Sequence, residues 1–201
     1  MHPPLTQAQI KQHNDLYDRA FALIEGEMLL DGLPARPPPG FFAKRKLRKA
    51  IQLFHKVIGI NSMNWNAMFA IAKVYQRLGH SQASFDWLLK AREFAPENTS
   101  LAKETALTAA HFGMHEKAIE VALEAIAINP DDPSLHSNLG LSLLLTNKPN
   151  QAVEAFKKAV CLEPAHPMTT RLLEYAMAVE SGQLRVPHTE QEIIQNLPRT
   201  A

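Results

Sequence analysis

Several ordinary ingredients are scarce or missing from this chain of 201 residues, and each absence closes a class of explanation. There is one cysteine, Cys161, so no internal disulfide can form and a reducing compartment is expected. No long uncharged apolar run exists, so no membrane-spanning helix is predicted, and the N-terminus lacks the charged-then-apolar form of a signal peptide. A charge excess is missing too: 21 Lys and Arg against 20 Asp and Glu leave a net +1, with no overall bias toward nucleic acid. No glycine-rich phosphate loop follows a strand, and no strand is legible. The expectation is a soluble, cytoplasmic protein, and 46% hydrophobic content is ample for one or two folded domains.

What is present is punctuation. In "INPDDPSLHSNLG", from Ile128 to Gly140, Asn129-Pro130 should stop one helix, because the residue before proline is pushed out of helical geometry. Asp132 can then cap the next helix, with Pro133 in its first turn, where the missing N–H costs nothing. The pattern recurs. Pro96, Pro130 and Pro164 are 34 residues apart, and Asn64, Asn98 and Asp132 keep the same step as predicted N-caps. Gly79, Gly113 and Asn147 fall midway, where a left-handed residue closes a helix. Small residues recur at Ala50, Ser84, Ala118 and Ala152, and again at Ala91, Ala125 and Ala159; Phe54, Leu88, Ala122 and Phe156 share another column. Each unit reads as cap, helix, tight turn, helix, proline.

On these columns the sequence resembles the tetratricopeptide repeat family. Ile71, Ala72 and Tyr75 fill its first-helix places in one unit, and Leu139 and Gly140 fill two of them in another. Ala118 with Pro130, and Ala152 with Phe156 and Pro164, match the second-helix places; Met68, Ala102 and His136 stand where the usual aromatic would. The resemblance implies an all-α, right-handed superhelical stack of helix-turn-helix repeats. A single helix pair cannot bury its apolar stripe, so neighbours must stack. Three full units are expected, 65–98, 99–132 and 133–166.

The ends depart from the repeat. Residues 1–33 should carry one long helix, opened by a capping box of Thr6 and Gln9 and stopped at Asp31-Gly32. A proline-rich insertion at 34–40 follows, then residues 41–64 as the second helix of a degenerate repeat, with Ala50 and Phe54 in register. Residues 167–182 are expected to form a capping helix and 183–201 a mostly mobile tail, in which "TEQEIIQNL" has room for a helical turn or two.

Catalytic and metal chemistry finds little footing. His111 and His115 lie four apart, but Gly113 falls between them at a predicted turn, which removes the shared face a metal needs. Ser100 and Lys103 spell S-x-x-K without the companion motifs of Ser–Lys acyl enzymes. Cys161, near the end of a repeat helix, is expected to be a buried small hydrophobe rather than a nucleophile. No cofactor, metal or catalytic residue is expected. "AKRKLRK", from Ala43 to Lys49, could meet anionic lipid, nucleic acid or an acidic partner. A solvated helix face is the simpler reading, since no aromatics are interleaved for stacking on bases. "PARP", from Pro34, has the form of a polyproline ligand, though a stiff spacer between helices is the simpler role.

The expected function is therefore a non-catalytic protein-interaction scaffold. The resemblance implies a concave groove, lined by the first helices, that holds a peptide or helix of another protein. Asn66, Phe69, Lys73, Lys103, Asn138, Arg171 and Tyr175 fall on its columns, which suits an acidic segment with one or two apolar anchors. Some family members grip the C-terminal carboxylate of heat-shock chaperones. Lys103 and Asn138 match two places of that clamp, but Leu107, Met168 and Leu172 hold the others, so that ligand is rejected. A dedicated chaperone for a secreted or membrane-complex subunit is the alternative, and binding of an anionic surface or nucleic acid through residues 44–49 ranks behind both.

Overall fold

The computed structural model describes residues 4–27 and 37–198, and every regular element among them is a helix. In order these are α1 (Gln7–Ala22), α2 (Phe41–Ile60), α3 (Trp65–Leu78), α4 (Ser81–Phe94), α5 (Thr99–His111), α6 (His115–Ile128), α7 (Pro133–Leu145), α8 (Pro149–Leu162), α9 (Pro167–Glu180) and α10 (Glu190–Asn196). The fold is an all-α array of helix pairs, as the repeat columns imply.

The columns act as local chemistry. The side-chain oxygens of Asn64, Asn98 and Asp132 accept from the backbone N–H groups of Ala67, Leu101 and Ser134, at 2.8, 2.9 and 2.9 Å. Each satisfies one of the donors a helix start leaves open. His166 continues the column, accepting at Nδ1 from the Thr169 N–H at 3.3 Å, so α9 opens as a repeat helix does. The turns between the paired helices close on Gly79, Gly113 and Asn147, at φ of 80°, 74° and 59°. That left-handed geometry disfavours any residue with an ordinary side chain, which explains the Gly/Gly/Asn column.

The chain forms two compact units, divided after Leu101 in the first turn of α5. In the first unit α1 packs on α2, α2 on α3 and α3 on α4. Leu47, Ala50, Phe54 and Val57 make one face of α2 and meet Ala20, Ile24 and Ile71 in its core. The Tyr17 ring stands edge-on to Phe54, with centroids 5.6 Å apart. Asn64 does double duty, capping α3 while its amide donates to His13 of α1 at 2.7 Å. Arg77 of α3 joins Glu27 and Pro37: Nε and Nη2 reach Glu27 at 3.2 and 3.1 Å, and Nη1 donates to the Pro37 carbonyl at 2.8 Å.

In the second unit α6 packs on α7, α7 on α8 and α8 on α9. A Cβ added to Gly140 would sit 2.8 to 2.9 Å from three carbons of the Phe156 ring. Only glycine leaves room there, so the Leu-Gly place in α7 and the aromatic place in α8 are one packing device. Ala152, Ala155 and Ala159 line the same side of α8 and are buried, letting its backbone approach its neighbours.

Three expectations need correction, and a fourth element, the 167–182 helix, departs from the repeat columns as expected. The first helix ends at Ala22 and yields to turns through Glu27; its expected stop at Asp31-Gly32 and part of the proline-rich insertion, residues 34–36, lie outside the described residues. Within the expected mobile tail Glu190–Asn196 is helical, capped by Thr189, with Ile193 and Leu197 buried. Its two inward apolar side chains are what an unanchored tail would lack. The 167–182 helix keeps the repeat's cap but buries Leu172, Tyr175, Ala176 and Val179, a face shifted from that of α7. Cys161 is exposed, because it lies two residues past inward-facing Ala159, about 200° around the helix.

Candidate functional site

The seven residues expected to bind a partner divide between the units: Asn66, Phe69 and Lys73 lie on α3, the rest on α5, α7 and α9. On α3, Asn66 is exposed in the first turn. Phe69 is half-buried against the cluster of Met68, Leu88 and Leu101, so it partly serves the stack. Lys73 keeps only 5% of its surface and is engaged within the protein, not presented to a ligand.

In the second unit Lys103 Nζ pairs with Asp132 Oδ2 at 3.2 Å, tying α5 to the start of α7. Asp132 is held from several sides. Burial by itself would raise its carboxyl, but bonds from the Ser134 hydroxyl and Lys103 outweigh that and lower it below the ordinary 3.8. From there Ser134, Asn138 and Leu141 form a half-buried row along α7, at the spacing of one helix face. The Asn138 side chain has no hydrogen-bond partner among the described residues.

On α9 the expected site is filled by the chain itself. Arg171 Nε donates to the Pro198 carbonyl at 2.6 Å. Tyr175 retains 2% exposure, and its phenol is pushed up first by burial and then by Glu192 of α10. Arg171 is thus tied to the C-terminal segment, and Tyr175 is enclosed. The cause lay beyond the reach of periodicity, since nothing in the spacing of α9 says what will cover it. Of the three expected groove cations, then, one is buried, one is ion-paired and one donates to the chain's own backbone.

Two surfaces went unforeseen. A cleft of about 440 Å³ lies between α6 and α8, floored by Leu139 and Leu143 of α7 and walled by Ile119, Leu123 and Ala155, with Leu123 54% exposed. Leu123, the one leucine of α6, lies about 140° around the helix from buried Ala118, so helical spacing would have flagged it. The second adds to the basic run already expected at the surface: Phe41 and Phe42, just ahead of it at the start of α2, are 76% and 77% exposed. No group of three or more His, Cys, Asp or Glu among the described residues could hold a metal, and no described helix is long and apolar enough to cross a membrane.

Helix pairs closed by left-handed turns, capped in register every 34 residues and interlocked by small residues, define a helical repeat protein. Family models described as tetratricopeptide repeat match residues 76–133 and 133–166, and this part of the chain is built of tetratricopeptide repeats. It is similar to tetratricopeptide repeat protein 17 of Homo sapiens, 28% identical over 113 residues, which is 55% of this chain and 10% of that protein. Small glutamine-rich tetratricopeptide repeat-containing protein 2 of Mycosarcoma maydis is 30% identical over 95 residues, 47% of this chain and 26% of that protein. The matched stretch thus spans a minor part of each relative. Among solved structures, MamA from Desulfovibrio magneticus RS-1 aligns with a TM-score of 0.66 at 12% identity, covering 96% of both chains. Pseudomonas aeruginosa PilF aligns at 0.60 and 17%, covering 96% of this chain and 80% of that one. At such identities the likeness is one of fold. The repeats support a protein-interaction scaffold, with other proteins as partners.

Proposed function

We propose that this protein is a non-catalytic scaffold that holds an extended or helical segment of a partner against its first helices, with the face of α7 as the contact in the second unit. The observation that carries this reading is the row Ser134, Asn138 and Leu141, half-exposed and not consumed by packing. Asn138 brings an amide that both donates and accepts, suited to a ligand backbone, and Leu141 offers an apolar anchor point. Lys103 can meet one ligand carboxylate by exchanging it for Asp132. The acidic character of the ligand rests on that lysine, since Lys73 and Arg171 are engaged elsewhere. Asn66 and Phe69 offer a comparable polar and apolar pair on α3 of the first unit.

The cleft between α6 and α8 supports a second reading, in which an amphipathic helix of the partner buries its apolar face against Leu123 and Ile119. Affinity capture with two variants separates them. Lys103→Glu with Asn138→Ala should abolish recovery of the native partner while Leu123→Glu retains it, and the reverse pattern would move the site to the cleft. Recovery of one partner that is unstable without this protein would mark a dedicated chaperone rather than a general scaffold.

A further inference from the structure

The outer face of α2 is chemically one-sided. The helix runs 20 residues and contains six basic residues, Lys44, Arg45, Lys46, Arg48, Lys49 and Lys56, and no acidic one. All six are exposed, and none is paired with a carboxylate among the described residues. At 100° per residue Phe41, Phe42, Arg45, Arg48, Lys49 and Lys56 fall on the side opposite the buried Leu47, Ala50, Phe54 and Val57. Two features of this face are unfavourable for a protein surrounded only by water. Clustered cations at the start of a helix oppose its macrodipole, and the first turn holds no acidic residue while Gly40 supplies no capping side chain. Beside them two large aromatics stand in the open, packed edge-to-face with each other at 5.6 Å.

We infer that the outer face of α2 docks the protein peripherally on an anionic phospholipid surface, with Phe41 and Phe42 entering the headgroup region and the Arg and Lys side chains lying against the lipid phosphates. The charge is complementary to such a surface, and lipid anions at the helix start satisfy the dipole that the basic run opposes. The aromatics sit together at one end, ahead of the cations, as a wedge. Single-stranded nucleic acid instead needs aromatic platforms interleaved along the cationic track so that successive bases can stack. The inner face of α2 is already buried in the first unit's core, so only this side is offered and the helix must lie flat rather than insert. With just two apolar side chains in contact, electrostatics has to supply much of the attraction, and added salt should release the protein.

Vesicle flotation of the full chain tests this. Vesicles of phosphatidylcholine containing phosphatidylserine should carry the protein up the gradient, and pure phosphatidylcholine vesicles should not. Arg45→Gln, Arg48→Gln and Lys49→Gln together should lower partitioning about a hundredfold, roughly fivefold for each charge removed. Phe41→Ser with Phe42→Ser should lower it by about tenfold or more, with far-UV circular dichroism unchanged because both rings are already exposed. No recruitment by phosphatidylserine, equal recruitment by the uncharged vesicles, or full binding by the doubly serine-substituted protein would each overturn the inference. Tighter binding of a single-stranded RNA oligonucleotide than of the anionic vesicles would also overturn it and give this face to nucleic acid.

Discussion

The helix pairs α1/α2 and α7/α8 place a phenylalanine in the same repeat column, Phe54 and Phe156, and both rings are fully buried. They are housed in opposite ways. Phe156 lies on bare backbone, against a glycine that could not carry even a methyl group. Phe54 instead stands edge-to-face with another ring, Tyr17, at 5.6 Å between centroids. The joints differ as well. Asn147 closes α7 onto α8 through one left-handed residue, whereas the ends of the α1/α2 connection are held by Arg77, reaching over from α3. The α7/α8 pair closes through its own turn, whereas the α1/α2 connection is tied to α3.

The largest effect should come from the shared ring. Phe156→Ala and Phe54→Ala should each cost about 3–5 kcal/mol in chemical denaturation. Phe54→Ala should fall at the lower end, because Tyr17 is half-exposed and free to move into the space; equal losses would mean the two pockets are equally rigid. Arg77→Ala comes next. It leaves the part-exposed Glu27 carboxylate and the exposed Pro37 carbonyl without their guanidinium partner and should cost about 0.5–1.5 kcal/mol. An unchanged urea midpoint would show that the α1/α2 pair stands without this tie.

Gly140→Ala sets two terms against each other. Helix propensity gains about 1 kcal/mol, but the new methyl group collides with a ring that is fully buried, at a cost of about 1–3 kcal/mol. Net destabilisation is expected, turning into net stabilisation when Phe156→Ala is also present. A double-mutant cycle with no coupling would dissolve the claim that these two columns are one device.

Asp132 gives a pH-dependent test. Its carboxyl is lowered in the folded protein, burial being outweighed by Ser134 and Lys103, so its contribution is complete above the ordinary value of 3.8 and is lost as pH falls through the lower folded value. Asp132→Asn keeps an N-cap but lacks the charge. Its stability deficit against the native protein should be constant at neutral pH and shrink below pH 3.8; a deficit unaltered in acid would assign the effect to packing. The smallest effect belongs to the basic run, where replacing three of the exposed cations by glutamine should move stability by no more than about 0.5 kcal/mol. A larger change would mean that α2 uses those side chains to hold the first unit together.

Helix order, caps and turns were legible because they are local. Asn64, Asn98 and Asp132 bond to backbone groups two or three residues away, and Gly79, Gly113 and Asn147 take geometry that few other residues tolerate. The 34-residue step therefore records the chemistry directly, and extending it once more would have found His166. The candidate site was legible only as columns. That Lys73 would be enclosed, that Lys103 would find Asp132 and that Arg171 would donate to Pro198 all depend on partners 27 residues or more away, or on burial, which periodicity does not report.

By itself, then, the sequence determined that the chain is built of paired helices with small and aromatic residues facing inward, since each of those choices acts over a turn or two of backbone. Tertiary structure alone decided which polar side chains remained available. Arg171 donates to the Pro198 carbonyl 27 residues away and Tyr175 is enclosed, so neither was left as open as its column suggests. Phe41 and Phe42 stayed outside because the inward face of α2 was already filled by Leu47, Ala50, Phe54 and Val57. Competition for a limited buried surface is settled among distant parts of the chain, and no window of adjacent residues contains the outcome.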